Sequence, residues 1–343
     1  MSTRIFTVIL VLALTVGSAA AQTAYRPPRL PDGKPDLQGV WDFRTLTPLE
    51  RPENVAGKAR LTTEEAAELE AKAAARSAAD DARRITAPLP AGRTLGPGYN
   101  DFWLDRGAKV VEDQRTSLIV DPPDGRLPAL QPGVEKQVGS LQEDLPGKHP
   151  VRIRAAGIGT GTYEDRGLAE RCLLGFNSGP PILPGGYNQN IQIFQTPTHV
   201  AILNEMVHDA RIVPLDGRAH LPASIRQWMG DSRGRWEGDT LVIETTNFTD
   251  KTASFNPSVT TAIGSGVTLR LTERFRRVAD NTLVYEYTVD DPKTFTRPFT
   301  VQLPMKRGDA LYEYACHEGN HALENVLRGA RVGDASRGAA KPQ

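Results

Sequence analysis

The stretch Thr282-Leu-Val-Tyr-Glu-Tyr-Thr-Val-Asp290 decides the fold of this chain. Leu283, Tyr285, Tyr287 and Val289 fall on one side of an extended backbone, with Glu286 and Thr288 on the other. That two-residue period marks a strand with one buried face. The run Thr240–Thr246 (TLVIETT) upstream has the same β-branched, alternating character. Working outward, Asn190–Gln195, His199–Met206, Arg211–Pro214, Leu269–Val278, Phe299–Leu303 and Leu311–Cys316 read as further strands, and Arg115–Asp121 as an earlier one. Turn signals separate them at Leu215-Asp-Gly217, Asp231-Ser-Arg-Gly234, Ala279-Asp-Asn281 and Arg307-Gly-Asp309. Short strands at this spacing predict a mainly β protein, an antiparallel β-barrel (calycin/lipocalin-like) or closed sandwich. Gly39-Val-Trp41 matches the Gly-x-Trp that opens the first strand of lipocalin-type barrels.

Composition agrees. There are 26 prolines and 31 glycines but only four tryptophans, the profile of a loop-rich β protein. Lys plus Arg equals Asp plus Glu at 41 each. That balance supplies no field to attract nucleic acid or an anionic membrane surface. The expected layout is a signal peptide over 1–21, a Pro-rich extended segment with one peripheral helix over 22–110, an antiparallel β domain over 111–330, and a disordered tail over 331–343. The helix is placed at 62–84, where Thr62 and Glu65 form a capping box ahead of an Ala/Glu/Arg-rich run. Its apolar face is mostly alanine, so it packs thinly. A short C-terminal helix is expected over Ala322–Leu327, ending at Gly329.

The amino terminus reads as an export signal. A basic start at Arg4 precedes an apolar run from Ile5 to Val16 and the small residues Gly17-Ser-Ala-Ala-Ala21. That run is too short for a permanent anchor, so a periplasmic or secreted location is expected, without membrane attachment after cleavage. In an oxidising compartment the two cysteines, Cys172 and Cys316, are expected to form one disulfide.

Four segments contain residues suited to chemistry. Ala315-Cys-His-Glu-Gly-Asn-His321 contains a literal His317-Glu318-x-x-His321, which on a continuous helix would set two imidazoles on one face for zinc. The run into Cys316 is β-like, and Gly319-Asn320 breaks a helix, placing the helix start at Asn320. No metal is therefore expected, and His317 and Glu318 are read as a strand-end acid–base pair with Asn320 beside them. In the second segment the Asp-Gly turn sets Asp216, Arg218 and His220 on one loop after Arg211. His220 with Asp216 is a candidate proton-transfer pair, and Arg211 or Arg218 would hold an anionic or polar substrate oxygen. The third, Trp228 to Phe248, is read as a hairpin whose aspartates cap turns, with Trp228 near the second segment. The fourth, Leu174–Asn190, is a Gly/Pro/Asn-rich loop in which Tyr187 is suited to bind a polar ligand.

The run from Arg211 to Phe248, with GRWEGDTLVIETTNF at its end, together with YEYACHEGN, Tyr312 to Asn320, resembles an uncharacterised family of secreted bacterial proteins over roughly 31–343. Asp216, Gly217, Arg218, Cys316, His317, Glu318 and Asn320 match its motifs. The family often carries an aromatic residue where this chain has His321. The resemblance implies export and no particular activity.

The function expected from these residues is a secreted or periplasmic small-molecule enzyme, a lyase, isomerase or hydrolase. It would use cofactor-free acid–base chemistry in a barrel cavity, with His220, Asp216, His317 and Glu318 converging on one rim. The alternatives are a non-catalytic small-molecule binding protein and a zinc metallohydrolase. The partner in the first two cases is a small organic molecule. The oligomeric state stays open.

Overall fold

The computed structural model describes residues 25–82, 105, 107–139, 153–155 and 157–339. The expected signal peptide, the last two residues of the 62–84 helix and much of the Pro-rich stretch after it lie outside the described residues. The chain is mainly β. Nine strands form one antiparallel, nearly closed barrel: β1 (Gly39–Asp42), β4 (Asn190–Gln195), β5 (His199–Asn204), β6 (Ala210–Pro214), β7 (Asp231–Glu237), β8 (Thr240–Thr246), β11 (Arg270–Ala279), β12 (Thr282–Asp290) and β13 (Phe299–Arg307). Their spatial order is β6-β5-β4-β1-β13-β12-β11-β8-β7. A short β2 (Ile119–Asp121) adds to β13 near its start. A separate small sheet holds β3 (Lys136–Val138), β10 (Thr261–Ile263) and β9 (Phe255–Ser258).

The alternation seen in β12 fills the barrel. Leu283, Tyr285, Tyr287 and Val289 are all 0 % exposed, as are Phe299, Val301, Leu303 and Met305 of β13. With Phe275, Leu241, Ile243, Ile191 and Trp41 they form one continuous core. At the base the barrel is closed around Trp41. Its indole donates to the Leu37 carbonyl at 2.8 Å, and the guanidinium groups of Arg277 and Arg307 lie 5.8 and 5.2 Å from the ring centre. Arg277 bonds the Asp36 and Asp280 carbonyls, and Arg307 bonds that of Gln38, tying the segment before β1 across the base. Gly39 makes this possible: its φ is +117°, and a Cβ there would overlap the Arg307 guanidinium.

With nine strands, each antiparallel to its neighbours, the two edge strands β6 and β7 run in the same direction. No ladder joins them. They meet through side chains, close enough that a Cβ on Gly234 would sit 2.6 Å from Leu215 and 2.9 Å from Val213. The chain after β6 returns along β7: Arg233 Nε donates to the Ala219 carbonyl, and the Leu221 N–H to Asp231. This corrects the reading of Asp231–Gly234 as a turn. Asp231 caps nothing in its own backbone; its carboxylate serves the neighbouring segment, which frees residues 231–237 to extend as β7.

At the mouth, residues 157–189 form an irregular plug. Ile182, fully buried, donates its N–H to the Tyr285 hydroxyl at 3.1 Å, and Leu168 and Leu174 pack with Trp228 and Met229. Among the described residues two α-helices flank the barrel. In α1 (Thr63–Ala82) the capping box is present, with Glu65 N–H to Thr62 Oγ1 at 3.2 Å and Thr62 N–H to Glu65 at 2.8 Å. Ala66 is its buried contact. The second, α2 (His321–Ala339), is longer than expected and runs through Gly329. An isolated glycine costs a helix about 1 kcal/mol but does not by itself end it. Residues 331–339 are accordingly helical, not tail. Leu311–Cys316 is not a strand either. β13 is already flanked by β1 and β12, so the segment cannot pair back onto the strand it follows, and it is held by side-chain contacts and a disulfide.

Candidate functional site

Cys172 and Cys316 are disulfide-bonded with their Cα atoms 5.7 Å apart, across 144 residues of sequence. The bond fastens the segment after β13 onto the plug. Tyr314 stacks on Tyr187 at 6.4 Å between ring centres, and Phe176 meets Tyr187 edge-on at 5.0 Å. Burial, then the neighbouring Tyr314, raises the pKa of the Tyr187 hydroxyl. Asn320 donates to the Glu170 carbonyl at 3.0 Å. His208 Nδ1 lies 3.0 Å from the Tyr314 carbonyl oxygen, and its ring is 6.4 Å from that of His317.

These contacts enclose a pocket of about 450 Å³ between plug, disulfide and α2. Ala169, Tyr314, Leu323 and Val326 give it an apolar wall, and Arg166, Glu170, Glu313, Glu318 and Asn320 line the rest. Arg166 is paired with Glu170 at 2.7 Å. Glu313 and Glu318 are exposed. The lining therefore carries three carboxylates against one guanidinium.

The side-chain pairing expected within the rim site is replaced by others. Asp216 pairs with Arg218 on the surface, where that guanidinium pulls its pKa down to about 2. His220 turns instead to Asp231, with Nδ1 to Oδ2 at 2.9 Å and the His220 side chain 29 % exposed. Burial opposes the Asp231 charge, but the Leu221 N–H, His220 and Arg233 together hold its pKa below the usual value. No hydrogen bond, ion pair or ring contact among the described residues joins this pair to His317 or Glu318. The two groups share the mouth end of the barrel and keep separate partners. Trp228 belongs to the plug's apolar packing. His317 precedes α2, whose first residue is His321, so the two imidazoles do not share a helical turn. Among the described residues no three His, Cys, Asp or Glu side chains gather as a metal-holding group.

Arg211 points into the barrel. It is clamped in a two-pronged pair with Glu273, Nη2 to Oε1 measuring 2.9 Å. Burial works against the Arg211 charge, but Glu273 outweighs it and raises the pKa. Tyr285 donates to the same Oε1 at 2.8 Å. Near this pair lie Tyr287 and Arg154, both buried, and Asp209, which accepts from Ser178 Oγ at 3.0 Å and the Gly175 N–H at 3.3 Å. Glu273 was legible as a charge in the inward phase of Leu271-Thr-Glu273-Arg-Phe275. Arg154 lies in a stretch without periodicity, which carried no signal.

Comparison with protein-family models, curated proteins and solved structures gives no match, so the fold and these sites rest on the chain's own residues.

Proposed function

We propose that this is an exported small-molecule-binding protein whose ligand occupies the pocket between plug, disulfide and α2. The observation that carries the reading is that pocket. It gathers Cys316, Glu318 and Asn320, all marked out in the sequence, against an apolar wall, in a volume within the range of small-ligand sites. The disulfide favours an oxidising compartment, and no helix among the described residues is long and apolar enough to cross a membrane. The three carboxylates favour a neutral or cationic organic ligand over an anionic one. Phenethylamine and phenylacetate, similar in size and opposite in charge, test this by calorimetry. The amine is expected to bind at least about tenfold more tightly, a difference near 1.4 kcal/mol. Glu313→Gln with Glu318→Gln should erase that preference. Equal binding of the two probes, or a preference for the acid, overturns the reading.

A second reading, acid–base catalysis, is favoured by one observation. Asp231 holds His220 through Nδ1 while the ring stays partly exposed, the arrangement of an oriented general base. For any substrate that the protein turns over, His220→Gln is expected to lower the rate by roughly 100-fold or more while leaving the thermal midpoint nearly unchanged. Unchanged turnover confines His220 to pinning residues 215–222 onto β7.

A further inference from the structure

Arg154 is 4 % exposed beneath the plug. Its Nη1 donates to the Ser178 carbonyl at 2.6 Å, and its Nε has no hydrogen-bond partner among the described residues. No carboxylate among the described residues forms an ion pair with it. Asp209 acts on it only through its field, and both hydrogen bonds to Asp209 come from Ser178 and Gly175. Burial raises the pKa of Asp209, opposed by its hydrogen bonds from Gly175 and Ser178 and by the field of Arg154. The Tyr287 hydroxyl, 0 % exposed, likewise has no hydrogen-bond partner among the described residues and lies within the field of Arg154. Arg211 brings no surplus charge, because Glu273 cancels it.

A guanidinium taken out of water without a paired anion is strongly unfavourable, and an unpaired buried hydroxyl adds to that cost. Burial is the largest influence on Arg154 and brings its pKa down to about 10, still well above neutrality, so the group keeps its charge at pH 7. Two donors of this kind, one cationic, are the chemistry that holds a halide or a carboxylate head.

We propose that Arg154 Nε–H and the Tyr287 hydroxyl hold a small monovalent anion in the barrel mouth beneath the plug. This site is separate from the acidic pocket beside α2, and the two select opposite charges. It does not depend on the function proposed for that pocket.

Crystals of the full mature chain grown with bromide in place of chloride test the assignment. An anomalous bromide peak is expected within hydrogen-bond distance of Arg154 Nε and Tyr287 Oη. Formate added to the same crystals separates the two anion classes: loss of the peak assigns a carboxylate-head site, and persistence assigns a halide site. In solution, the thermal midpoint should rise with bromide relative to gluconate at equal ionic strength. The apparent affinity from that rise should weaken at least about tenfold in Tyr287→Phe and vanish in Arg154→Met. Tyr287→Phe decides the matter if Arg154→Met fails to fold. A water in place of bromide, or an anion dependence identical in wild type and Tyr287→Phe, overturns the proposal.

Discussion

Glu273→Gln should lower the free energy of unfolding by about 3–5 kcal/mol, the usual cost of stranding one member of a buried ion pair. Glutamine keeps the size of the side chain and an acceptor for Tyr285, but it leaves the Arg211 charge inside the barrel without compensation. The pair has a second task. Arg211 is on β6, one free edge of the sheet, and Glu273 is on β11, two strands in from the other. The bond therefore ties the two halves of the sheet across a seam that no backbone ladder closes. Arg211→Met combined with Glu273→Gln removes both charges and should recover much of the loss, because well-packed apolar replacements of buried pairs are often neutral. Urea denaturation of the three variants is the measurement. A single-variant loss under 1 kcal/mol would show that water reaches Arg211 and that the pair does not hold the seam.

The second large effect belongs to the disulfide. In the chain-entropy view a loop of this length stabilises by up to about 5 kcal/mol, through restriction of the unfolded chain. Cys172→Ser with Cys316→Ser is expected to lose about 3–5 kcal/mol. It should also release the segment after Arg307, which belongs to no sheet. Limited proteolysis should then trim the C-terminal part while the barrel persists, and phenethylamine binding should fall at least about tenfold. A variant that resists proteolysis and binds as wild type would place the strength of that attachment in the Tyr314–Tyr187 and Asn320–Glu170 contacts instead.

The barrel was legible because its information is local. The inward phase of Thr282–Asp290 predicts both its strand boundaries and its buried face, and Thr240–Thr246 and Asn190–Gln195 do the same. The Thr62–Glu65 box marked the start of α1 for the same reason. Where partners are distant, sequence reading lost its grip. Asp231 looked like a turn former because its partners, His220 and Leu221, are reached only through the return segment along β7. Tyr312–Cys316 has the composition of a strand, but the strand it follows, β13, already has a neighbour on each side, which is a property of the whole sheet. For the site, sequence composition singled out Glu318, Asn320 and Cys316, which do share a pocket. It joined His220 to Asp216 through proximity in the chain, whereas the fold pairs that histidine with Asp231.

The odd number of strands has a mechanical consequence. A barrel with an even antiparallel count can close with ladders all the way round, and opening it anywhere breaks backbone hydrogen bonds. Here the parting line is written into the parity. β6 can swing from β7 while every ladder stays intact, resisted by the Arg211–Glu273 clamp, the contacts of Gly234 and the hold of Asp231 on residues 220–221. The molecule is thus a rolled sheet with a clasp rather than a welded tube. Unrolling at that seam would bring water to Glu273 and Tyr285 without breaking the disulfide that holds the plug.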